Sequence, residues 1–433
     1  MSQKTGNTWL LIAKAALFFI VLGVFYVGQI IFYVETRFYF WGNNIILMLY
    51  TVNLYFSSKT YRGFQFGSID WRESILSWIL SLAITNSLQY LLLSLLESRM
   101  LPVAGFLAVL GAQVLLAIPL TYLIDKLYYR LHPAHKAIII YGREDKSREY
   151  SKIIERHRNK FEISCIISQD EPLEQILNSI DESGSVFFLD IEENRKGYLL
   201  EYCFLYDKRT YILPTFSGVL LNTSEISWIS NTPMFLPKSP VIDPVPQFAK
   251  RSMDIALSML ALAALSWLML FTWAAIRLYD RKPAIYKQTR VTKGGKHFTL
   301  YKFRSMKPDA EADGIARLSD QNDDRVTPIG KLIRKTRIDE LPQLINVLSG
   351  AMSLVGPRPE RPEIASQYEE QFPNFSLRTK VKAGITGYAQ IYGRYNTAPD
   401  EKLFLDIMYI EKFSIWLDIK LMLQTLKVIF NYK

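Results

Sequence analysis

Apolar and polar positions are patterned differently in successive parts of this chain. Through residue 130, apolar residues run on almost uninterrupted by charge, in stretches near Trp9–Val34, Phe38–Phe56, Ser74–Leu96 and Leu101–Ile124. Each approaches the about 20 apolar residues that a bilayer-crossing helix requires. Lys14 interrupts the first stretch close enough to its end for the ammonium to reach the interface. That stretch is too long for a cleaved signal peptide and has no small-residue cleavage site. Beyond Lys136 the pattern changes to short apolar strand runs (Ala137–Tyr141, Glu162–Ile167, Val186–Ile191, Thr210–Leu213) separated by helical spacing in Arg148–Arg158, Leu173–Ile180 and Asn194–Leu205. Such alternation predicts a parallel, Rossmann-like α/β sheet.

The Pro-rich segment Thr232–Gln247 reads as a linker. After it comes a fifth apolar stretch, Ile255–Ile276, which either crosses the membrane or enters and leaves by one face. Leu417–Ile429, broken by Asp418, Lys420 and Lys427, predicts an amphipathic helix lying on the membrane surface. The boundaries are therefore 1–130 for a membrane α-helical bundle, 131–232 for a Rossmann-like cytosolic domain, 233–249 for a linker and 250–433 for the remainder.

Charge fixes an orientation. The chain has 433 residues, 49% hydrophobic and 21% charged, with a net charge of +10. Lys4, Lys59, Arg62, Arg72, Lys126, Arg130 and Lys136 fall on one side of the predicted spans, whereas the opposite loops pair Glu35 with Arg37 and Glu97 with Arg99. The positive side is cytoplasmic by the usual rule. With spans present, the basic excess suits anionic lipid and phosphorylated substrates rather than nucleic acid. Cys165 and Cys203 are the only cysteines, and there are four histidines. They build no Cys/His metal cluster and no disulfide framework, and both cysteines are expected in core packing. The turn Tyr141-Gly142-Arg143-Glu144-Asp145 holds one glycine where a dinucleotide site wants three, and its two acids repel phosphate.

The polar motifs that bear chemistry lie in 286–398. In Tyr301–Met306, Lys302 and Arg304 share a strand face and can hold a diphosphate, or form a solvated face; Gly294-Gly295 predicts the hairpin turn before it. Leu341, Leu344, Ile345 and Leu348 have helix-face spacing, and Pro342 is tolerated only in a first turn. The helix is thus expected to begin at Asp339 or Glu340, where an acid is ordinarily a cap. Here Lys331, Arg334, Lys335 and Arg337 precede the pair, so phosphate binding, Mg²⁺ and nucleophilic attack by a carboxylate come into view. Pro357 and Pro359 stiffen a loop around Arg358, a residue type suited to bidentate phosphate contact. In Val381–Gln390, Gly384 and Gly387 permit close backbone approach.

In order and spacing, Lys250-Arg251…Asp254, Tyr301–Met306, Asp339–Gln343, Met352–Pro359, Gly384–Gln390 and Trp416–Thr425 resemble the bacterial polyprenyl-phosphate sugar-phosphate transferases of the monotopic phosphoglycosyl transferase superfamily. The likeness is dense over 248–433, and the preceding spans and degenerate Rossmann-like region are similar to the family's larger members. It implies a mostly α (α+β) membrane-associated catalytic domain at 250–433 with a re-entrant helix at 252–278. It implies that Asp339 attacks a UDP-sugar, expelling UMP, and that undecaprenyl phosphate then takes the phosphosugar, at the cytosolic face of the bacterial inner membrane. Mg²⁺ would sit against Asp339 with Glu340 assisting. Lys302, Arg304, Arg334, Arg337, Arg358, Thr386 and Gln390 would contact substrate, and the larger members imply a homodimer. Two departures stand out: Ser266-Trp267 replaces the Ser-Pro pair that breaks the family's re-entrant helix, and Ala351 stands where an acid is common.

Other functions compatible with the pattern are a membrane-anchored nucleotide-sugar dehydratase or epimerase, which the missing glycines disfavour, and a non-catalytic scaffold for polysaccharide assembly. A lipid transporter is disfavoured by spans without paired intramembrane charges.

Overall fold

A computed structural model describes residues 3–32, 41–222, 224–237, 244–307, 325–393 and 398–430. Glu35 and Arg37 lie outside the described residues. The chain divides into two compact units, Met1–Leu213 and Pro214–Lys433.

The first unit opens with four helices: α1 (Gln3–Phe32), α2 (Gly42–Thr60), α3 (Trp71–Leu96) and α4 (Val103–Leu131). Their shared core includes Leu17, Val21, Tyr50, Leu54, Trp78 and Leu82. At its centre one group from each helix meets in a polar knot. Gln113 Nε2 donates to Val21 O at 2.9 Å and to Tyr50 Oη at 2.8 Å, while Asn86 donates to Gln113 Oε1 at 2.7 Å. In an apolar bundle such bonds fix which helix neighbours which. Among the described residues, the helices long and apolar enough to cross a membrane are α1, α3, α4 and one in the second unit, Pro244–Asp280. Of the second predicted span, 38–56, residues 38–40 lie outside the described residues; the rest falls in α2, which packs in the bundle and, with Asn43, Asn44, Thr51 and Asn53, is less apolar than its neighbours.

A parallel α/β sheet follows, of β1 (His135–Tyr141), β2 (Phe161–Ser168), β3 (Ser185–Leu189) and β4 (Arg209–Ile212) in the order β2-β1-β3-β4. The helices α5 (Glu144–Glu155), α6 (Leu173–Asp181) and α7 (Glu193–Leu205) connect them. The strand pattern read from the sequence holds, because Ile138, Ile139 and Ile140 are buried on both faces of the central strand. Cys203 lies in this core. Cys165 does not: β2 is an edge strand, and Cys165 is exposed on it, contrary to expectation.

The second unit begins with α8 (Phe216–Asn222) and the hairpin β5 (Glu225–Ile229) with β6 (Thr232–Leu236). The Pro-rich segment is thus only partly a connector, since β6 occupies its start and α9 (Pro244–Asp280) begins within it. Helix α9 continues unbroken through Ser266 and Trp267, so the break expected of a re-entrant helix is not at that pair. Without a proline, every residue there keeps its donor to the preceding turn. The hairpin β7 (Ile285–Val291) and β8 (His297–Phe303) follows; Gly294 and Gly295 make its turn at φ 69° and 73°, as their sequence predicts.

The rest is α10 (Pro328–Lys335), α11 (Gln343–Leu348), β9 (Ser353–Val355), α12 (Pro362–Gln371), β10 (Gly384–Thr386), α13 (Tyr388–Tyr392), α14 (Pro399–Glu411) and α15 (Ile415–Phe430). Both α9 and α15 turn polar groups inward. Lys250 Nζ donates to Asp418 Oδ2 at 2.5 Å and to Val355 O at 3.0 Å, and Asp254 Oδ1 accepts from Leu354 N at 3.1 Å. Outward they present Leu260, Trp267, Phe271 and Trp416.

Candidate active site

The acidic pair is positioned by a sharp change of direction after α10. Arg337 takes a left-handed φ of 59°, and a single 3-10 turn, Ile338–Glu340, follows. Such a φ is uncommon outside glycine. The predicted helix does not start at the acids: Pro342 caps α11, which begins at Gln343. Its inner face is also shifted from the expected one, since Leu344 and Val347 are buried with Asn346, while Ile345 is exposed. Asn346 explains the shift. Its amide donates to Thr299 O at 2.8 Å and accepts from Tyr301 N at 3.0 Å, stitching α11 to β8. That stitch sets Lys302 against Glu340.

Asp339 and Glu340 are both buried, at 7% and 8% exposure. Glu340 Oε1 accepts from Lys302 Nζ at 3.1 Å and from Arg358 Nη2 at 3.0 Å, and Oε2 lies 3.7 Å from Arg337 Nη1. Burial pushes this carboxyl up, but Lys302, Arg358 and Arg337 outweigh burial and hold it well below the usual carboxylate range. Burial in turn lowers the pKa of Lys302, against the opposing pull of Glu340. Asp339 is in the opposite situation. Its Oδ1 is buried without a hydrogen-bond partner among the described residues. Burial, then the charge of Glu340, push Asp339 up to about 6, with Lys302, Arg334 and Arg358 pulling partly back. One acid anchors the cations, and its neighbour keeps an unsolvated oxygen beside them.

Arg358 is held from behind by groups the motif reading did not select. Arg378 Nη2 donates to Arg358 O at 2.9 Å, and Arg290 Nη1 donates to Pro359 O at 3.1 Å. Arg378 is buried and pairs with buried Asp406 at 2.6 Å, while Glu360 lies 3.6 Å from Arg378 and 4.0 Å from Arg290. Asp406 left one signal in the sequence: an acid on the inward stripe of Leu403, Ile407 and Ile410. The front of the loop rests on glycines. Gly356 N donates to Thr386 O at 2.8 Å and Gly384 N to Pro357 O at 2.9 Å, and a Cβ at either glycine would overlap backbone of the other segment.

Of the residues singled out in sequence, Asp339, Glu340, Lys302, Arg334, Arg337 and Arg358 come together. Lys302 and Arg304 part company, because β8 ends at Phe303. Arg304 instead pairs with Asp280 at 2.5 Å, tying the end of α9 to the strand. Thr386 shares a hydroxyl contact of 2.7 Å with Thr425 on α15, and Gln390 Nε2 donates to Ile385 O at 2.8 Å, so both brace the β9–β10 pair. Ser266 Oγ bonds back to Ala263 O at 2.9 Å, and Trp267 is exposed. The position of Ala351 is used through its backbone, whose carbonyl accepts from Thr292.

The fit to Mg²⁺ is narrow. The described residues contain no group of three or more His, Cys, Asp or Glu arranged for a metal, and the oxygens of Glu340 face three cations. The carboxylate of Asp339, whose Oδ1 has no hydrogen-bond partner among the described residues, is the group left that could face a metal. Mg²⁺ commonly takes only one or two carboxylates and fills its shell with water and substrate phosphates, which suits this donor set.

Residues 245–432 match the family model described as bacterial sugar transferase. The chain is 43% identical over 189 residues to a UDP-N-acetylgalactosamine-undecaprenyl-phosphate N-acetylgalactosaminephosphotransferase of Aeromonas hydrophila, covering 43% of this chain and 44% of that protein. It is 43% identical over 186 residues to a UDP-glucose:undecaprenyl-phosphate glucose-1-phosphate transferase of Escherichia coli K12, covering 42% of this chain and 40% of that one. An uncharacterized sugar transferase of Bacillus subtilis, EpsL, is 43% identical over 178 residues, which is 41% of this chain and 85% of the relative. The chain thus spans less than half the length of the first two relatives it matches.

Proposed function

The chain belongs to the bacterial sugar transferase family, and on that premise we propose that it moves a sugar 1-phosphate from a UDP-sugar to undecaprenyl phosphate. The products are UMP and undecaprenyl-diphosphate-sugar, the starting point of capsule, exopolysaccharide or O-antigen assembly. The observation that carries this reading is Oδ1 of buried Asp339, without a hydrogen-bond partner among the described residues, beside Lys302, Arg334 and Arg358.

In the first step Oδ1 of Asp339 bonds to the sugar-bearing phosphorus as the bond from that phosphorus to the UMP oxygen breaks. UMP leaves with the electron pair. In the second, an oxygen of undecaprenyl phosphate attacks the same phosphorus, the bond to Oδ1 breaks, and the carboxylate is restored. Glu340 keeps Lys302, Arg358 and Arg337 aimed at the phosphates, where they offset the charge that builds up in each transfer. Mg²⁺, held by Asp339 and the diphosphate, would supply further neutralisation of the attacked group.

The catalytic part, 250–433, is assigned to the cytosolic face of the inner membrane, where nucleotide sugars are made. The packing of α9 supports this. Lys250 and Asp254 near its start bond to β9 and α15. At its other end Ile276 packs on Phe303 and Ile333, and Asp280 pairs with Arg304. Both ends are therefore held by the same unit, which supports the reading that α9 enters and leaves by one face. Assembly as a homodimer and a degenerate Rossmann-like role for the α/β sheet complete the reading.

The test is to incubate the detergent-purified protein with undecaprenyl phosphate, Mg²⁺ and a panel of UDP-sugars. UMP and UDP are then quantified separately. UMP release that vanishes in Asp339→Asn is expected; UDP release would mean ordinary glycosyl transfer and would overturn the mechanism.

A further inference from the structure

Behind the Arg358 loop lies a cavity of about 350 Å³. Its walls are largely apolar, formed by Val291 of β7, Pro357 and Pro359 of the loop, Ala365 of α12, and Val381 and Ala383 ahead of β10. This size falls near the lower end of ligand pockets, about 300–1,000 Å³, and is too small for a whole nucleotide sugar.

The charges in the lining are already engaged. Arg358 reaches Glu340 at 3.0 Å, and Arg378 pairs with Asp406 at 2.6 Å. Glu369 accepts from Asn374 N, Ser376 N and Ser376 Oγ. Both arginines of the lining are thus already paired with carboxylates. Hydroxyls are better placed to act there. Ser366 Oγ donates to Pro362 O at 3.0 Å and Thr379 Oγ1 to Ser376 O at 2.8 Å, so each keeps acceptor lone pairs for an incoming N–H or O–H. The cavity therefore suits an uncharged, largely apolar ligand with a few hydrogen-bonding groups. Arg358 belongs both to this lining and to the Asp339–Glu340 site. Arg358 thus adjoins both the cavity and the carboxylates.

We propose that this cavity holds the nucleoside of the donor nucleotide, with the base against the proline and alanine walls and the diphosphate crossing Arg358 to Asp339. The placement rests on the proposed transfer reaction, but its test does not require turnover.

Binding of UMP and of ribose 5-phosphate to the full-length protein is measured by calorimetry. The two share a phosphate and a ribose and differ by the base. The wild type is expected to prefer UMP by about tenfold or more. Ala365→Trp, which fills the cavity from α12, is expected to abolish that preference and leave ribose 5-phosphate binding unchanged. Thr379→Phe fills it from another wall, in case the first variant loses its folded melting transition. A preference for UMP that survives in a folded cavity-filled variant overturns the proposal, as does a wild type with no preference. UMP release from UDP-sugars is assayed in parallel. Absence of release together with a cavity-dependent UMP preference would defeat the proposed reaction and leave the nucleoside site standing.

Discussion

Replacing Asp339 by Asn should destroy turnover and at the same time make the protein more stable. Burial and the neighbouring Glu340 raise the Asp339 carboxyl from its ordinary 3.8 to about 6. The folded state therefore binds this proton more tightly than the unfolded chain does. The stability contributed by the protonated form is fully present below pH 3.8 and is lost as pH rises through about 6. At pH 7 the shift of about 2 units corresponds to about 3 kcal/mol of destabilisation, and at pH 5 to about half of that. The asparagine side chain carries no charge to desolvate and removes the repulsion from Glu340. In a unit of this size, 3 kcal/mol corresponds to a rise in Tm of roughly 6–12 °C. The assay is thermal unfolding of wild type and Asp339→Asn in the same detergent at pH 5 and pH 8. A variant that melts lower than wild type at pH 8, or a difference that does not shrink at pH 5, would refute the reasoning. Stability held back at a reactive group is a recurring cost of function.

Three further outcomes follow from the same contacts. Turnover should fall about tenfold between pH 7 and pH 5 as Asp339 protonates, and Glu340→Gln should move that acid limb to lower pH by removing the like charge; a pH–rate profile of UMP release measures both. Arg304→Ala should leave kcat within a few-fold of wild type, because Arg304 pairs with Asp280, whereas Lys302→Ala, which strips a partner from Glu340, should lower kcat by about 10²-fold or more. Arg378→Ala leaves Asp406 buried and unpaired and should cost about 3–5 kcal/mol, with part of the loss recovered in the Arg378→Ala, Asp406→Ala double variant; chemical denaturation of the four proteins gives the coupling.

What could be read from the chain was whatever repeats with a short period or sits in one contiguous motif. The parallel sheet was legible because Ile138–Ile140 and Val186–Leu189 are apolar on both faces, a property of neighbouring residues alone. The hairpin at Gly294-Gly295 was legible because its φ angles of 69° and 73° demand glycine. The acidic pair with its basic surroundings was legible because Arg334, Arg337, Asp339 and Glu340 lie within one turn-rich stretch. Apolar length alone did not show that α2 packs through Ile46, Tyr50 and Leu54 into the shared helical core.

Tertiary structure decided the division of labour inside the site. Two adjacent carboxylates look alike in sequence; only the arrival of Lys302 from β8 and Arg358 from the loop after β9 makes Glu340 the anchor and leaves Asp339 Oδ1 without a hydrogen-bond partner among the described residues. The same holds for Arg304, which strand alternation aligned with Lys302 until the strand ended and Asp280 claimed it. It holds as well for Arg378 and Asp406, which lie 28 positions apart in the chain yet fix the backbone of Arg358 from behind. Electrostatic partnership depends on distance in space and on burial, and neither is written in the local order of residues.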